Sequence, residues 1–206
     1  MNLDRWRILM RSLGVGDSLN TYEAITNAYS EKHRYYHTES HIDDCLGKFD
    51  MSRGLAIEEH EVELAIWFHD AVYEPLSSDN ELKSADWAQS FLIDSGAKQG
   101  LADRVHKLIM ATLHAVEAAD GNARLLVDID LSILGEVETI YDQFEKSVRK
   151  EYALVPEFLF RKKRVEILNS FLARNRIYSN NFFYQRYEER ARKNIKGAIS
   201  KLSYRR

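Results

Sequence analysis

Leu3, Trp6, Leu9 or Met10, and Leu13 recur at intervals of three and four residues, and Gly14 follows them. That spacing predicts a short first helix stopped by glycine. Ser18 is placed to cap a second helix carrying Tyr22, Ile25 and Tyr29, ahead of a dense turn, His33-Arg34-Tyr35-Tyr36-His37. Thr38 starts a third helix whose apolar Ile42, Cys45, Leu46 and Phe49 keep the same spacing, with His41 in its first turn and Gly54 at its end. From Ile57 through Val62, Ala65, Ile66 and Phe68 to His69 the chain becomes apolar nearly all round, so this fourth helix should be buried together with its end.

Ser78-Asp79-Asn80-Glu81 has the form of a capping box, opening a helix through Leu82, Ala85, Phe91 and Leu92 that stops at Gly96. Leu101, Val105, Leu108, Ile109 and Thr112 mark a further helix reaching His114, and Asp120-Gly121-Asn122 reads as a turn. Leu125–Ser132 is apolar but carries Asp128 and Asp130 inside it. Three long helices follow: Val137–Tyr152, one opened by Pro156 in its first turn, and a last one through Tyr187, Ala191 and Ile195. The expected fold class is all-α, one domain over residues 1–206, with a metal-site core at about 30–135 and basic helices over 136–206.

Composition agrees with this reading. At 206 residues the chain suffices for one well-filled core, and 2 Pro with 9 Gly supply little of the turn punctuation that an all-β chain needs. No apolar run approaches the ~20 residues that span a bilayer, and MNLDRWRILMRSLG is too broken by charge for a signal peptide, so the expectation is a cytoplasmic protein with no membrane partner. The single cysteine, Cys45, lies on an apolar helical stripe and reads as a small buried hydrophobe.

The net charge of -3 conceals an asymmetry: residues 145–206 carry 17 Lys+Arg against 6 Asp+Glu, and the first 144 residues carry 12 against 26. A basic end can attract phosphates or nucleic acid. Runs such as Arg161-Lys162-Lys163-Arg164 are more often solvated helix faces, and no recognised nucleic-acid motif accompanies them, so nucleic acid is not the expected partner.

All seven histidines fall at or before residue 114. His37 and His41 stand four apart, where one helix face can present both unless His37 leans in from the turn. His69-Asp70 closes a buried helix, and Asp130 is a carboxylate among apolar residues. An isolated buried carboxylate needs a counter-charge, and a divalent cation supplies one. Two imidazole segments and two interior carboxylates explain each other better than any of them stands alone.

The segments Tyr36-His37-Thr38-Glu39-Ser40-His41-Ile42, Ala65-Ile66-Trp67-Phe68-His69-Asp70-Ala71-Val72-Tyr73, Asn80-Glu81-Leu82-Lys83-Ser84-Ala85 and Asp128-Ile129-Asp130-Leu131-Ser132-Ile133-Leu134-Gly135 resemble the HD superfamily of metal-dependent phosphohydrolases, in particular a bacterial subgroup. The likeness runs on through Arg149–Tyr152 and Glu188–Asn194 and so covers most of the chain. It implies a metal held by His41, His69, Asp70 and Asp130, with Asp70 also bridging a second ion or holding the attacking water. The Tyr-His-x-x-x-His segment and the Asp-Leu-Ser are also similar to cyclic-nucleotide phosphodiesterases, which makes His37 the general acid. After the doublet the chain has Ala71-Val72-Tyr73-Glu74 where those enzymes carry a further Asp-His, which puts a cyclic-nucleotide substrate in doubt.

Mixed nitrogen and oxygen ligands suit Mn, Fe, Co, Ni or Zn, with Mg also admissible. The implied function is hydrolysis of a phosphate ester of a nucleotide or small phosphorylated metabolite by a metal-bound water. Other residues join this reading less directly. Glu74 either orients a water or is a surface acid before Pro75; His114, Asn80 and Arg149 are the candidates for holding substrate. Asn80 has the alternative of a cap residue, and Arg149 that of a solvated arginine. Two rivals stay open: a non-catalytic metal and nucleotide sensor on the same fold, and an RNA-binding helical protein using the basic end. Whether the chain forms a homo-oligomer is also open.

Overall fold

The structure, a computed structural model, describes residues 1–114 and 120–203. Those residues form ten α-helices and no strand. No helix among them is long and apolar enough to cross a membrane. Contacts gather into two compact units, residues 1–127 and 128–206.

The first unit contains α1 (Leu3–Leu13), α2 (Leu19–Tyr29), α3 (Glu39–Ser52), α4 (Glu59–Phe68), α5 (Asn80–Asp94) and α6 (Gln99–Ala111), and α7 (Gly121–Asp130) begins in it. Its centre is α4, which packs against α1, α3, α5 and α6. The all-round apolarity of α4 makes this possible: every residue from Glu61 to Phe68 is buried. Trp6 meets the edge of Trp67 at 5.3 Å between ring centroids, and Phe68 stacks on Phe91 at 5.7 Å. Two acids on so buried a helix require cations. Glu61 takes the guanidinium of Arg104, and Glu63 accepts from Arg5 at 2.7 Å and Arg53 at 2.8 Å.

Helix positions follow the apolar spacing, while several ends are built differently from expectation. Gly14 does stop α1, in the left-handed conformation at φ 72. Ser18 precedes α2 but is itself left-handed at φ 42, and its hydroxyl donates back to the Gly16 carbonyl instead of capping. The predicted capping box at Ser78 does not form: Asp79 is the residue before α5, and its side chain pairs with Ser77. Asp120, expected in a turn, instead caps α7 by accepting the Ala123 N–H at 2.8 Å. α6 ends at Ala111, three residues short of His114.

The second unit contains the end of α7, a short 3-10 segment Leu131–Gly135, α8 (Glu138–Glu151), α9 (Glu157–Leu172) and α10 (Asn181–Ser203). α10 packs on Leu131–Gly135 and on α9. At Gly135 the approach is so close that a Cβ would fall 2.5 Å from Cβ of Tyr187, so only glycine fits. Around it, Arg190 donates to the Gly135 carbonyl, and Asn194 donates to those of Leu134 and Glu136, at 2.8–2.9 Å. Asp128 is fully buried and accepts the backbone N–H groups of Ser179 and Asn180 at 2.8 and 2.6 Å. Burial pushes its carboxyl up to about 6, against the pull of those donors. Glu188 accepts from Ile177 and Tyr178, and its partner Arg192 reaches the carbonyls of Leu172, Arg174 and Asn175. Much of the Glu188–Asn194 motif therefore braces the segment from Asp128 to Glu136. Part of the basic excess is internal, while Arg205 and Arg206 in that charge tally lie outside the described residues.

Candidate metal centre

Two elements of the first unit, α3 and the end of α4, meet at one point. His41 is in the first turn of α3, its N–H bonded to the Thr38 carbonyl at 3.0 Å. His69 is the residue just after α4, its N–H still bonded to the Ala65 carbonyl at 2.9 Å, and Asp70 follows. Because α3 packs against α4, the two imidazoles meet: Nε2 of His41 lies 3.2 Å from Nε2 of His69. Oδ2 of Asp70 completes the triangle, 3.4 Å from His41 Nε2 and 3.2 Å from His69 Nε2.

The protonation of His69 is set by its other nitrogen. Nδ1 lies 2.9 Å from the Ile66 carbonyl, an acceptor only, so Nδ1 carries a proton and Nε2 is the nitrogen whose lone pair the ring would offer to a bound ion. A ligating histidine is oriented in the same way, by a carbonyl that accepts from its other ring nitrogen. The Asp70 carboxyl is pushed up by burial, but His69 and His37 beside it and the hydrogen bonds from His41 and His69 outweigh this and hold it well below the usual carboxylate range. The result is a carboxylate facing two imidazole nitrogens. Ligands about 2.1 Å from a common first-row ion stand roughly 3.0–3.4 Å apart, and the three separations fall within that range. The donor set fits a divalent cation. His41 and His69 are buried, whereas the Asp70 side chain keeps 17% exposure, so the set opens on the carboxylate side.

Cys45, one turn beyond His41 on α3, belongs to the same group: its sulfur and donor atoms of His41 and His69 all lie within 4.8 Å of one another. The sulfur is 3.7 Å from Nδ1 and 3.8 Å from Nε2 of His41, so it sits beside the ring and not along the Nε2 lone pair. Its burial matches the expectation from the apolar stripe; its place against a ligand ring does not follow from that stripe.

His37 remains in the turn before α3. Its ring stacks on Tyr73 at 4.1 Å between centroids and stands 6.0 Å from the His41 ring, outside the triangle and next to it. Tyr36 lies between the two histidines, 5.0 Å from His37 and 4.7 Å from His41.

The arrangement depends on a residue for which sequence reasoning assigned no role. Arg34, its side chain shut from solvent, donates to the carbonyls of Asp70 at 2.7 Å, Ala71 at 3.0 Å and His37 at 3.2 Å, and to Glu31 at 2.9 Å. Its guanidinium also lies over the rings of Tyr29 and Tyr73. One rigid fork thus ties the histidine turn to the doublet. Arg34→Met is expected to lower unfolding stability by roughly 3–5 kcal/mol, because three carbonyls and a carboxylate lose a charged donor. Urea denaturation checks this, and a loss below about 1 kcal/mol would show that the clasp is dispensable.

Three of the remaining candidates, Glu74, Asn80 and Arg149, face solvent or are engaged by other groups. Glu74 is exposed, and Asn80 clamps its backbone, accepting the Glu74 N–H at 3.0 Å and donating to the Glu74 carbonyl at 2.9 Å. Asn80 thus organises the loop after the doublet. His114 follows α6 with a left-handed φ of 55. Arg149, proposed for substrate, is engaged within the second unit by Glu157 and the carbonyls of Tyr152 and Val155. Asp130 is the last residue of α7. Asp128, two residues earlier, is taken up by Ser179 and Asn180, and at 100° per residue Asp130 projects to the opposite side of that helix. Compared with protein-family models, curated proteins and solved structures, the chain finds no match.

Proposed function

We propose that the chain is an HD-type metal-dependent phosphohydrolase, cleaving a phosphate ester of a nucleotide or other small phosphorylated metabolite. The observation that carries the reading is the triangle of His41 Nε2, His69 Nε2 and Asp70 Oδ2, with Nδ1 of His69 engaged by the Ile66 carbonyl. In this reading His41, His69 and Asp70 hold the ion. Cys45 is not among the ligands in this reading, because its sulfur lies beside the His41 ring.

When bound, a divalent cation supplies Lewis acidity at this point, polarising a phosphoryl oxygen and lowering the pKa of a water. The protein's own groups do the rest. Asp70, ionised and partly open to solvent, orients the attacking water by accepting a hydrogen bond from it. His37, half-buried and stacked on Tyr73, donates a proton to the departing ester oxygen, a contribution of roughly 10²–10⁴ in rate. Arg34 keeps the two segments in register and touches neither water nor substrate.

The direct test is a panel of phosphate esters assayed with Mn, Co or Ni. Turnover should require the ion and vanish on chelation, while circular dichroism stays helical, because a core of this size does not need a metal to fold. Turnover that resists chelation would contradict the proposal. Metal binding with no turnover on any ester would favour the sensor reading.

A further inference from the structure

The second unit carries a separate cleft of about 430 Å³, walled by α8, α9 and α10. Its apolar surface comes from Phe160, Ala198 and Leu202. Lys146, Lys150 and Lys201 stand around that surface. The carboxylates beside them are already matched. Asp142 is bonded to Lys201 at 2.8 Å, Glu145 to Arg164 at 2.7 Å, and Glu157 to both Arg149 and Arg161 at 2.8 and 2.7 Å. The lining itself carries four cations, Lys146, Arg149, Lys150 and Lys201, against three carboxylates, Asp142, Glu145 and Glu157. Lys146, exposed on α8, has no ion-pair partner among the described residues. An apolar pocket of a few hundred cubic ångströms with a small number of placed charges is the usual form of a small-molecule site.

We infer that this cleft binds a small anionic amphiphile: an apolar body about the size of a fused ring pair, carrying one carboxylate or phosphate. The body lies against Phe160, Ala198 and Leu202, and the anionic group meets Lys146 with Lys150 and Lys201 near it. The surplus of positive charge selects the anion, and the apolar surface selects against inorganic phosphate alone. This site stands independently of the phosphohydrolase reading and would need no metal.

Fluorescence titration with 2-naphthoate tests it, since that probe has no phosphoester to hydrolyse. The expected result is binding about tenfold tighter than that of neutral 2-naphthol, and about tenfold weaker in Lys146→Glu, an exposed position whose reversal leaves the fold intact. Asp70→Ala protein should bind the probe unchanged. Naphthyl phosphate, titrated into the Asp70→Ala protein, distinguishes a phosphate from a carboxylate preference by its relative affinity. Equal affinity for 2-naphthol and 2-naphthoate would overturn the inference, as would an unchanged affinity in Lys146→Glu. So would loss of binding in Asp70→Ala, which would place the probe at the metal centre instead.

Discussion

His69→Ala protein, purified folded and dialysed, is expected to hold almost no transition metal where the parent chain holds close to one equivalent. Removing this imidazole deletes a donor whose ring is oriented by the Ile66 carbonyl and leaves only one nitrogen beside Asp70. Loss of a group that merely hydrogen-bonds a ligand weakens metal binding by about 10–100-fold, so loss of a ligand should exceed that. His41→Ala and Asp70→Ala should behave alike. Cys45→Ser should keep its metal, because the sulfur is equidistant from both nitrogens of the His41 ring and off the Nε2 axis. Elemental analysis reads all four variants. Undiminished metal in folded His69→Ala would place the ion elsewhere.

His37→Ala is expected to separate chemistry from metal binding. Its ring stands outside the triangle, stacked on Tyr73, so the variant should retain the ion and yet lose about 10²–10⁴ in turnover. The loss should shrink for p-nitrophenyl esters, whose leaving group needs no proton. Parallel measurement of metal content and of rates on good and poor leaving groups makes the distinction. Equal losses on both, with metal still bound, would leave His37 a positioning residue that holds Tyr73 and the turn.

The helices were legible because burial imposes a period, and α4 shows it best: apolar on every side in sequence, it is the central helix of the first unit. The placement of His69 and Asp70 at its end was legible for the same reason. Helix ends were less so, since a cap depends on backbone angles that composition does not fix. Ser18 adopts a left-handed conformation and bonds Gly16, and Ser78 lies one residue before the position that precedes α5. Arg34 escaped because its partners are backbone carbonyls at residues 37, 70 and 71, and a carbonyl has no letter in the sequence. Cys45 could have been found: it stands four residues after His41, the spacing at which helical side chains touch. Asp128 and Asp130 looked alike as interior acids, and only the donors at Ser179 and Asn180 distinguish the structural one.

The central claim is that one divalent cation sits among His41, His69 and Asp70. Anomalous diffraction from crystals of the Mn- or Zn-loaded protein tests it most directly. The account predicts a peak about 2.0–2.2 Å from Nε2 of both histidines and from a carboxylate oxygen of Asp70. A fully loaded crystal whose peak lies away from that triangle would contradict it.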